Sequence, residues 1–411
     1  MAGLFKTRIF ILGIALVLAA LSLFVIFRTK HPDSAGFLRA VAFPILVLAC
    51  GAYALLLSVR LALISVIVPL AAWSWWMAII GVSGLWTGSY EFFAASSLSI
   101  VAAGSLLTIL QLQVIASEFA RGADAIKAIR AALARSALPG ILAMFAACAA
   151  IAAMAFPDFR IATAIGVGVA LMLAAVFLLP ALAASILPFN EAFISRINHA
   201  RERRGRLVAV FAIFTVPRWA FATAGIAAVA FTIIYFNASF AALWQVAMKP
   251  FAIAFAGVGL LGAIGMRNWR GFLSCGVPPF LASIFGAWAV TQLGFSPNAV
   301  PEVSLLLGSA VGAGLVYFLA VPMAAYQRAG DPMMIAFSRA LNEWGAAVFI
   351  LACAVALVLL AGALSNDVSP ALAIPPLFHI ASALILFPAI ATALDDLFPR
   401  RRSLKELYRA R

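Results

Sequence analysis

Charge is what this chain of 411 residues lacks most: Asp, Glu, Lys and Arg together make up 10% of it, against about 25% in an ordinary soluble protein. That deficit excludes a water-exposed globular surface. The 66% hydrophobic content and a mean hydropathy of +1.12 place the chain in lipid. No polar stretch is long enough to make a soluble domain. Cysteine is scarce as well: Cys50, Cys148, Cys275 and Cys353 stand alone within apolar runs, without CxxC or metal-ligand spacing. This excludes a disulfide framework and a zinc cage, and the four read as small buried hydrophobes. Only one histidine, His379, falls in an apolar run. There is no glycine-rich phosphate loop, no HExxH and no Ser/His/Asp grouping, so no enzyme activity, cofactor or metal is expected.

What is present is length. Apolar runs of about 18 residues or more suit a membrane-crossing helix. Twelve can be counted, starting near residues 9, 41, 61, 92, 138, 161, 218, 250, 271, 303, 344 and 372. The expected fold is an all-α polytopic membrane protein. The run Ile9–Phe27 has a weakly basic start and no small-residue cleavage site, so it reads as a retained first span, the alternative being a cleaved signal peptide. Basic residues exceed acidic ones, 28 to 14, which raises nucleic acid as a partner, but their position argues against it. With the N-terminus inside, 23 of the 28 fall on one side, among them Arg121, Lys127, Arg130, Arg135, the run at 201–206, and Arg400, Arg401 and Arg402. That asymmetry is the positive-inside rule. It predicts a multi-pass membrane protein with both termini cytoplasmic and no nucleic-acid role. Contact with anionic membrane lipids is a secondary use of the same charges.

Residues 121–187 are echoed without a gap by residues 329–395. Gly122 falls on Gly330, Ala132 and Leu133 on Ala340 and Leu341, and LLPA at 178–181 on LFPA at 386–389, at one offset of 208. Two copies of one membrane unit are a common transporter plan. The predicted division is a first six-helix repeat at 1–189, a cytoplasmic linker at 190–217, a second six-helix repeat at 218–399 and a basic tail at 400–411. The apolar end of the linker, 207–217, reads either as an interfacial helix or as an inward extension of the seventh span. In each half a basic cytoplasmic turn (around Arg60, or at 267–270) joins spans two and three. Ser65 and Pro69, or Ser274 and Pro278, follow it at an offset of 209. Span four then runs into a short amphipathic cytoplasmic helix, 121–136 or 328–343. There Ala125, Ile126, Ile129 and Leu133 lie opposite Lys127 and Arg130, a pattern suited to the membrane surface.

The runs RGADAIKAIRAAL at 121–133 and LLPAL at 178–182 carry a resemblance, which MRNWRGFLSCGVPP at 266–279, LLGSAVGAG at 306–314 and AGDPMMIAFSRAL at 329–341 repeat. Together they resemble the transmembrane core of the resistance–nodulation–division (RND) superfamily, nearest the branch of mycobacterial large membrane proteins and hopanoid exporters. The likeness covers nearly the whole chain. It implies twelve transmembrane helices as two six-helix pseudo-repeats, with spans four and ten together at the centre, and transport of lipid or other hydrophobic substrates. Two departures stand out. Such proteins usually carry large extracytoplasmic domains after spans one and seven, whereas here those connections are only Arg28–Arg39 and Asn237–Lys249. A periplasmic or membrane partner subunit is therefore expected to supply the missing parts. Proton-driven relatives also hold acids in the middle of spans four and ten. Sixteen residues before Gly122 and Gly330 stand Leu106 and Gly314, and neither titrates.

Span four also carries Ser96, Ser97, Ser99, Ser105, Thr108, Gln111 and Gln113. With Tyr317 of span ten, Ser105, Thr108 and Gln111 make a candidate polar path. Interhelical hydrogen bonds worth about 1 kcal/mol each are the plainer reading. Gly104, Gly308 and Gly312, with Gly314, read as positions of close helix packing. His379 is a candidate proton site, with a structural hydrogen-bonding role as the alternative. Trp73, Trp75, Trp76 and Trp86 read as an outer aromatic belt or as an aromatic vestibule. Arg218 and Lys249 read as snorkelling cations, and Asp158, Glu302 and Asp367 as solvated charges on outer loops. The expected function is an RND-like transport protein, or transporter subunit, for hydrophobic substrates. The alternative is a non-transporting scaffold or lipid-sensing subunit with a degenerate copy of that fold.

Overall fold

Inside a bilayer the backbone has no water to bond, and a helix satisfies its N–H and C=O groups within one segment. The computed structural model describes residues 7–28, 46–47, 49–54, 56, 58–85, 90–155, 159–186, 209–236, 255–294, 302–345, 347–350, 352–354, 356–357 and 370–398. These residues are overwhelmingly helical, and no strand occurs among them. The helices are α1 (Arg8–Arg28), α2 (Val59–Ser83), α3 (Tyr90–Ala120), α4 (Ala125–Ala155), α5 (Phe159–Ile186), α6 (Pro217–Tyr235) and α7 (Phe255–Met266). They continue with α8 (Arg270–Gln292), α9 (Glu302–Arg328), α10 (Met333–Ala340), α11 (Pro370–Ala381) and α12 (Phe387–Leu397). Among the described residues six segments are long and apolar enough to cross a membrane: Val59–Ser83, Ala125–Ala146, Thr163–Ile186, Pro217–Tyr235, Arg270–Gln292 and Ile374–Leu397. The bent pair Met333–Gly345 and Ala347–Ala354 makes a seventh if it is one span. The other expected spans fall on the shorter apolar helices Arg8–Ser22, Gly104–Ala120 and Phe255–Met266, or run partly outside the described residues.

Helix α9 forms the centre. Tyr317, Phe318, Leu319 and Ala320 are all fully buried, so every side of that turn meets protein, as expected of a helix apolar all round. It packs against α3, α4 and α11, while α3 packs in turn on α4, α5 and α2.

The two copies of the repeat share their turn chemistry. Ala123 N–H donates to Glu118 O and Gly122 N–H to Phe119 O, closing α3. Asp331 N–H donates to Tyr326 O and Gly330 N–H to Gln327 O, closing α9. Both glycines sit in the left-handed region, at φ 81° and 104°, where only glycine escapes a clash of Cβ with the backbone. The copies then diverge. Asp124 caps α4 by accepting from Lys127 N–H at 2.7 Å, which holds its carboxyl below the ordinary value. Pro332 at the matching position offers no such side chain.

Several expectations need correction. The amphipathic stretch 121–136 is not a separate surface helix: after the turn at Gly122 it runs unbroken into span five as α4, straight through Pro139. In the second copy the π turn Leu341–Gly345 intervenes, and the chain bends by 55°. Trp73 and Trp76 are buried in the bundle rather than exposed in a belt. Trp76 Nε1 donates to Ala164 O of α5 at 2.6 Å, which satisfies the indole inside the protein. Cys50 and Cys353 are exposed on the helix surface, whereas Cys275 is buried. Glu302 begins α9 rather than lying in a loop. Within the apolar end of the linker lies a separate 3₁₀ turn, Ala209–Thr215, with Pro217 at the first position of α6. The remainder of the linker, the basic tail, both outer connections beyond Arg28, and Trp86, Asp158, Lys249 and Asp367 lie outside the described residues, as do the side chains of Cys148, Ser96, Ser97, Ser99 and Glu302.

Candidate functional site

The repeat offset brings matching positions face to face. A Cβ built on Gly314 would lie 3.9 Å from Leu106 Cδ2 and 3.7 Å from Ala143 Cβ. The two positions where an acid relay is expected from the resemblance therefore meet at the centre of the bundle, and they meet as hydrocarbon. The surrounding polar side chains do not form one continuous path. Thr108 Oγ1 donates back to Gly104 O at 2.8 Å. Tyr317 donates to Val258 O of α7. Ser105 Oγ and both amide atoms of Gln111 are buried without a hydrogen-bond partner, a costly arrangement that points to polar company inside the bundle. Close approach at Gly104 and Gly312 serves other neighbours than the α3–α9 contact. Gly104 faces Met172 of α5, and a Cβ on Gly312 would come within 2.8 Å of His379 Cβ. Gly308 belongs to α9, and its surroundings lie outside the described residues.

His379 is fully buried between α8, α9 and its own helix. Its Nδ1 lies 2.9 Å from Pro375 O, and its Nε2 lies 3.0 Å from Ser283 Oγ. A carbonyl only accepts, so Nδ1 carries the hydrogen of the neutral ring. Ser283 Oγ also lies 2.9 Å from Pro279 O, leaving one hydroxyl hydrogen between two acceptors. A ring protonated at both nitrogens would donate to Pro375 O and to Ser283 Oγ, freeing the hydroxyl hydrogen for Pro279 O. The π turn Ser382–Leu386 follows directly in the same span, a distortion often found at functional positions.

At the end of the bundle where α3 and α9 stop and α4 begins, charged side chains cluster, and the 208-residue offset again pairs two of them. Arg135 Nη1 lies 3.4 Å from Glu343 Oε1, and the two positions differ by 208. Glu118 Oε1 takes Arg121 Nη1 at 2.7 Å and Arg135 Nη2 at 3.2 Å. The position matching Glu118 is Tyr326, whose hydroxyl donates to Glu343 Oε2 at 2.6 Å. Arg339 pairs with Asp331 at 2.6 Å, and its guanidinium lies over the Tyr326 ring. Above this cluster opens a cavity of about 610 Å³, lined by residues that include Arg121, Arg135, Arg328, Arg339, Gln113, Leu56, Leu138, Val321 and Trp344. Ligand sites commonly have volumes of about 300–1,000 Å³. No one of these charges stands out in the sequence. The signal that finds them is the repeat offset applied to charged residues rather than to glycines and leucines. Among the described residues no group of three His, Cys, Asp or Glu side chains is placed to hold a metal ion.

By sequence, no protein-family model and no curated protein matches the chain. Solved structures do. The chain is similar to SecDF in a super-membrane-facing form, with a TM-score of 0.62 at 13% identity, over 91% of this chain and 63% of that one. It is similar as well to SecDF of Thermus thermophilus, described as a translocon-associated membrane protein, with a TM-score of 0.62 at 13% identity, over 88% and 62%. At this identity the likeness is one of fold, and the chain spans less than two thirds of the length of either SecDF structure.

Proposed function

We propose that the chain is an RND-like integral membrane transport protein, or a subunit of one, that moves a lipid or another hydrophobic molecule in the bacterial inner membrane. In this reading twelve spans form two six-helix repeats, 1–189 and 218–399, joined by the linker 190–217. Both termini and the tail 400–411 lie on the cytoplasmic side. A partner subunit supplies the extracytoplasmic parts for which the short outer connections leave no room. The substrate class follows from the sequence resemblance to lipid-exporting relatives. The observation that carries the reading is the cavity at the charged end of the bundle, whose wall combines guanidinium groups with Leu138, Val321 and Trp344, the mixture an amphiphile requires. The likeness of fold to SecDF supports it. Leu106 and Gly314 offer no protonatable pair, so the driving force comes from elsewhere: from the partner, from the gradient of the substrate itself, or from His379.

A second reading is favoured by those same two positions: a non-transporting scaffold or lipid-sensing subunit that keeps the RND-like frame without its engine. Purification in mild detergent, with mass spectrometry of co-purifying proteins and lipids, tests the proposal. The expected result is a partner with extracytoplasmic mass together with enrichment of one lipid class. Recovery of the chain with neither would overturn it.

A further inference from the structure

We propose that Arg135 and Glu343 form a latch between the two halves of the chain, which holds the walls of the cavity together and releases them by giving up one bond. Glu118 and Arg135 come from the first half, Glu343 and Tyr326 from the second, and they stand in a row across the boundary. Arg135 Nη1 reaches Glu343 Oε1 on the far side, while its Nη2 stays with Glu118 Oε1. Glu343 keeps its other oxygen, Oε2, for the Tyr326 hydroxyl. Separation of the halves therefore strands neither charge. Stranding a charge is what makes an interfacial ion pair costly to break; here each partner falls back on a bond it already holds.

The contacts lengthen toward the boundary. Within the halves, Arg121–Glu118, Arg339–Asp331 and Tyr326–Glu343 lie at 2.7, 2.6 and 2.6 Å, in the range of strong charge-assisted hydrogen bonds. Arg135–Glu118 is longer at 3.2 Å, and the crossing contact is the longest of the row at 3.4 Å. The weakest link is the one that joins the halves. On the second side, the Arg339 guanidinium over the Tyr326 ring braces the hydroxyl that keeps Glu343.

The latch also bridges the walls of the cavity. Arg135, Tyr326 and Glu343 all line it, and the apolar lining comes from both halves, Leu138 from one and Val321 and Trp344 from the other. Glu343 is carried by the π turn Leu341–Gly345, which buried Leu341 and Trp344 anchor; such turns are frequent at functional positions. Deeper in the bundle α4 and α9 stay packed, with Ala143 against Gly314. Ala143 lies about 12 Å from Arg135 along α4. Release at the charged end is thus a splay about that packed contact, and it widens the cavity without unpacking the core.

This inference rests on the transport reading only for what enters the cavity; the latch itself is measured without flux. Ala116 lines the cavity and is 2% exposed. The full chain carrying Ala116→Cys is purified in detergent micelles and treated with N-ethylmaleimide, a neutral reagent whose local concentration does not follow the charge of the variants. Modification at position 116 is read by peptide mass spectrometry, which separates it from the native cysteines. A thiol that reacts only when the cavity opens is modified in proportion to the open population. Glu343→Gln is expected to speed modification about two- to fivefold, the factor that corresponds to a partly solvated ion pair. Glu118→Gln removes a partner of Arg135 within its own half and leaves the crossing bond, so it is expected not to speed modification. Added salt is expected to speed modification of the chain with its latch intact and to have no such effect in Glu343→Gln, which provides the test if a variant misfolds. An unchanged or slower rate in Glu343→Gln, an equal rise in Glu118→Gln, or a rate indifferent to salt would overturn the latch. Modification that follows these expectations in a chain that moves no lipid would leave the latch standing and remove transport. Lipid flux with modification indifferent to Glu343→Gln would do the reverse.

Discussion

Arg135 and Glu343 are 208 residues apart in the chain and 3.4 Å apart in the fold. Positions matched in the sequence by the 208-residue offset thus meet in the fold. Leu106 and Gly314, also 208 apart, meet in the same way inside the bundle. The line between the two pairs runs from a charged mouth to a hydrocarbon centre, and this contrast sets the chemistry the chain has to offer.

The axial ion pair is partly solvated, with side-chain exposures of 40% and 18%, so its coupling is small. A double-mutant cycle with Arg135→Gln and Glu343→Gln, read by thermal unfolding in detergent, is expected to give about 0.5–1 kcal/mol, falling as salt is added. No coupling at low salt would mean that the two side chains do not meet in the folded protein.

The paired left-handed caps should respond alike. Gly122→Ala and Gly330→Ala are each expected to destabilise by about 1–2 kcal/mol, because φ values of 81° and 104° clash with a Cβ. Equal losses in unfolding free energy support one turn used twice. A neutral Gly330→Ala beside a costly Gly122→Ala would contradict it.

Close packing is unequally forgiving. A Cβ on Gly262 would lie 2.5 Å from the backbone oxygen of Gly271, where α7 and α8 pass each other, while a Cβ on Gly104 meets the flexible side chain of Met172. Gly262→Ala is expected to cost about 2–3 kcal/mol and Gly104→Ala about 1 kcal/mol, measured as loss of folded protein on heating. The reverse order would refute the packing.

The His379–Ser283 contact should behave as a pair. Ser283→Ala alone is expected to cost about 1 kcal/mol or more, since it strips a buried ring nitrogen of its hydrogen-bond partner among the described residues. Ser283→Ala combined with His379→Leu is expected to cost less than the two single losses added together. Strict additivity would show that the hydroxyl and the ring do not interact.

Much of the frame is legible in the sequence because the repeat constrains it. Gly122 and Gly330 announce their turns, and sixteen residues back Leu106 and Gly314 are brought together as the resemblance implies. The faces of the helices are less legible. Apolar residues pointing at lipid and at a neighbouring helix look the same along the chain, so Trp76 reads as a belt residue although its indole bonds Ala164 on α5. Helix ends are obscured for a similar reason. The helix at 121–136 and the span starting near 138 read as separate elements, yet α4 runs through both and through Pro139, whose freed carbonyl is tolerated in a packed membrane helix. The charged mouth is missed because each of its members is an ordinary interfacial residue alone and becomes a site only when folded against its counterpart.

The most direct measurement of the central claim is lipid flux. Proteoliposomes carrying the chain with its co-purified partner are loaded with fluorescent phosphatidylglycerol, and movement between leaflets is followed by chemical quenching, with and without a protonophore. The account predicts movement well above that of protein-free vesicles and slowed in the Arg121→Gln/Arg339→Gln variant; because Leu106 and Gly314 take up no proton, loss of flux with the protonophore would assign the drive to His379 or to the partner. Flux no faster than in protein-free vesicles would contradict transport.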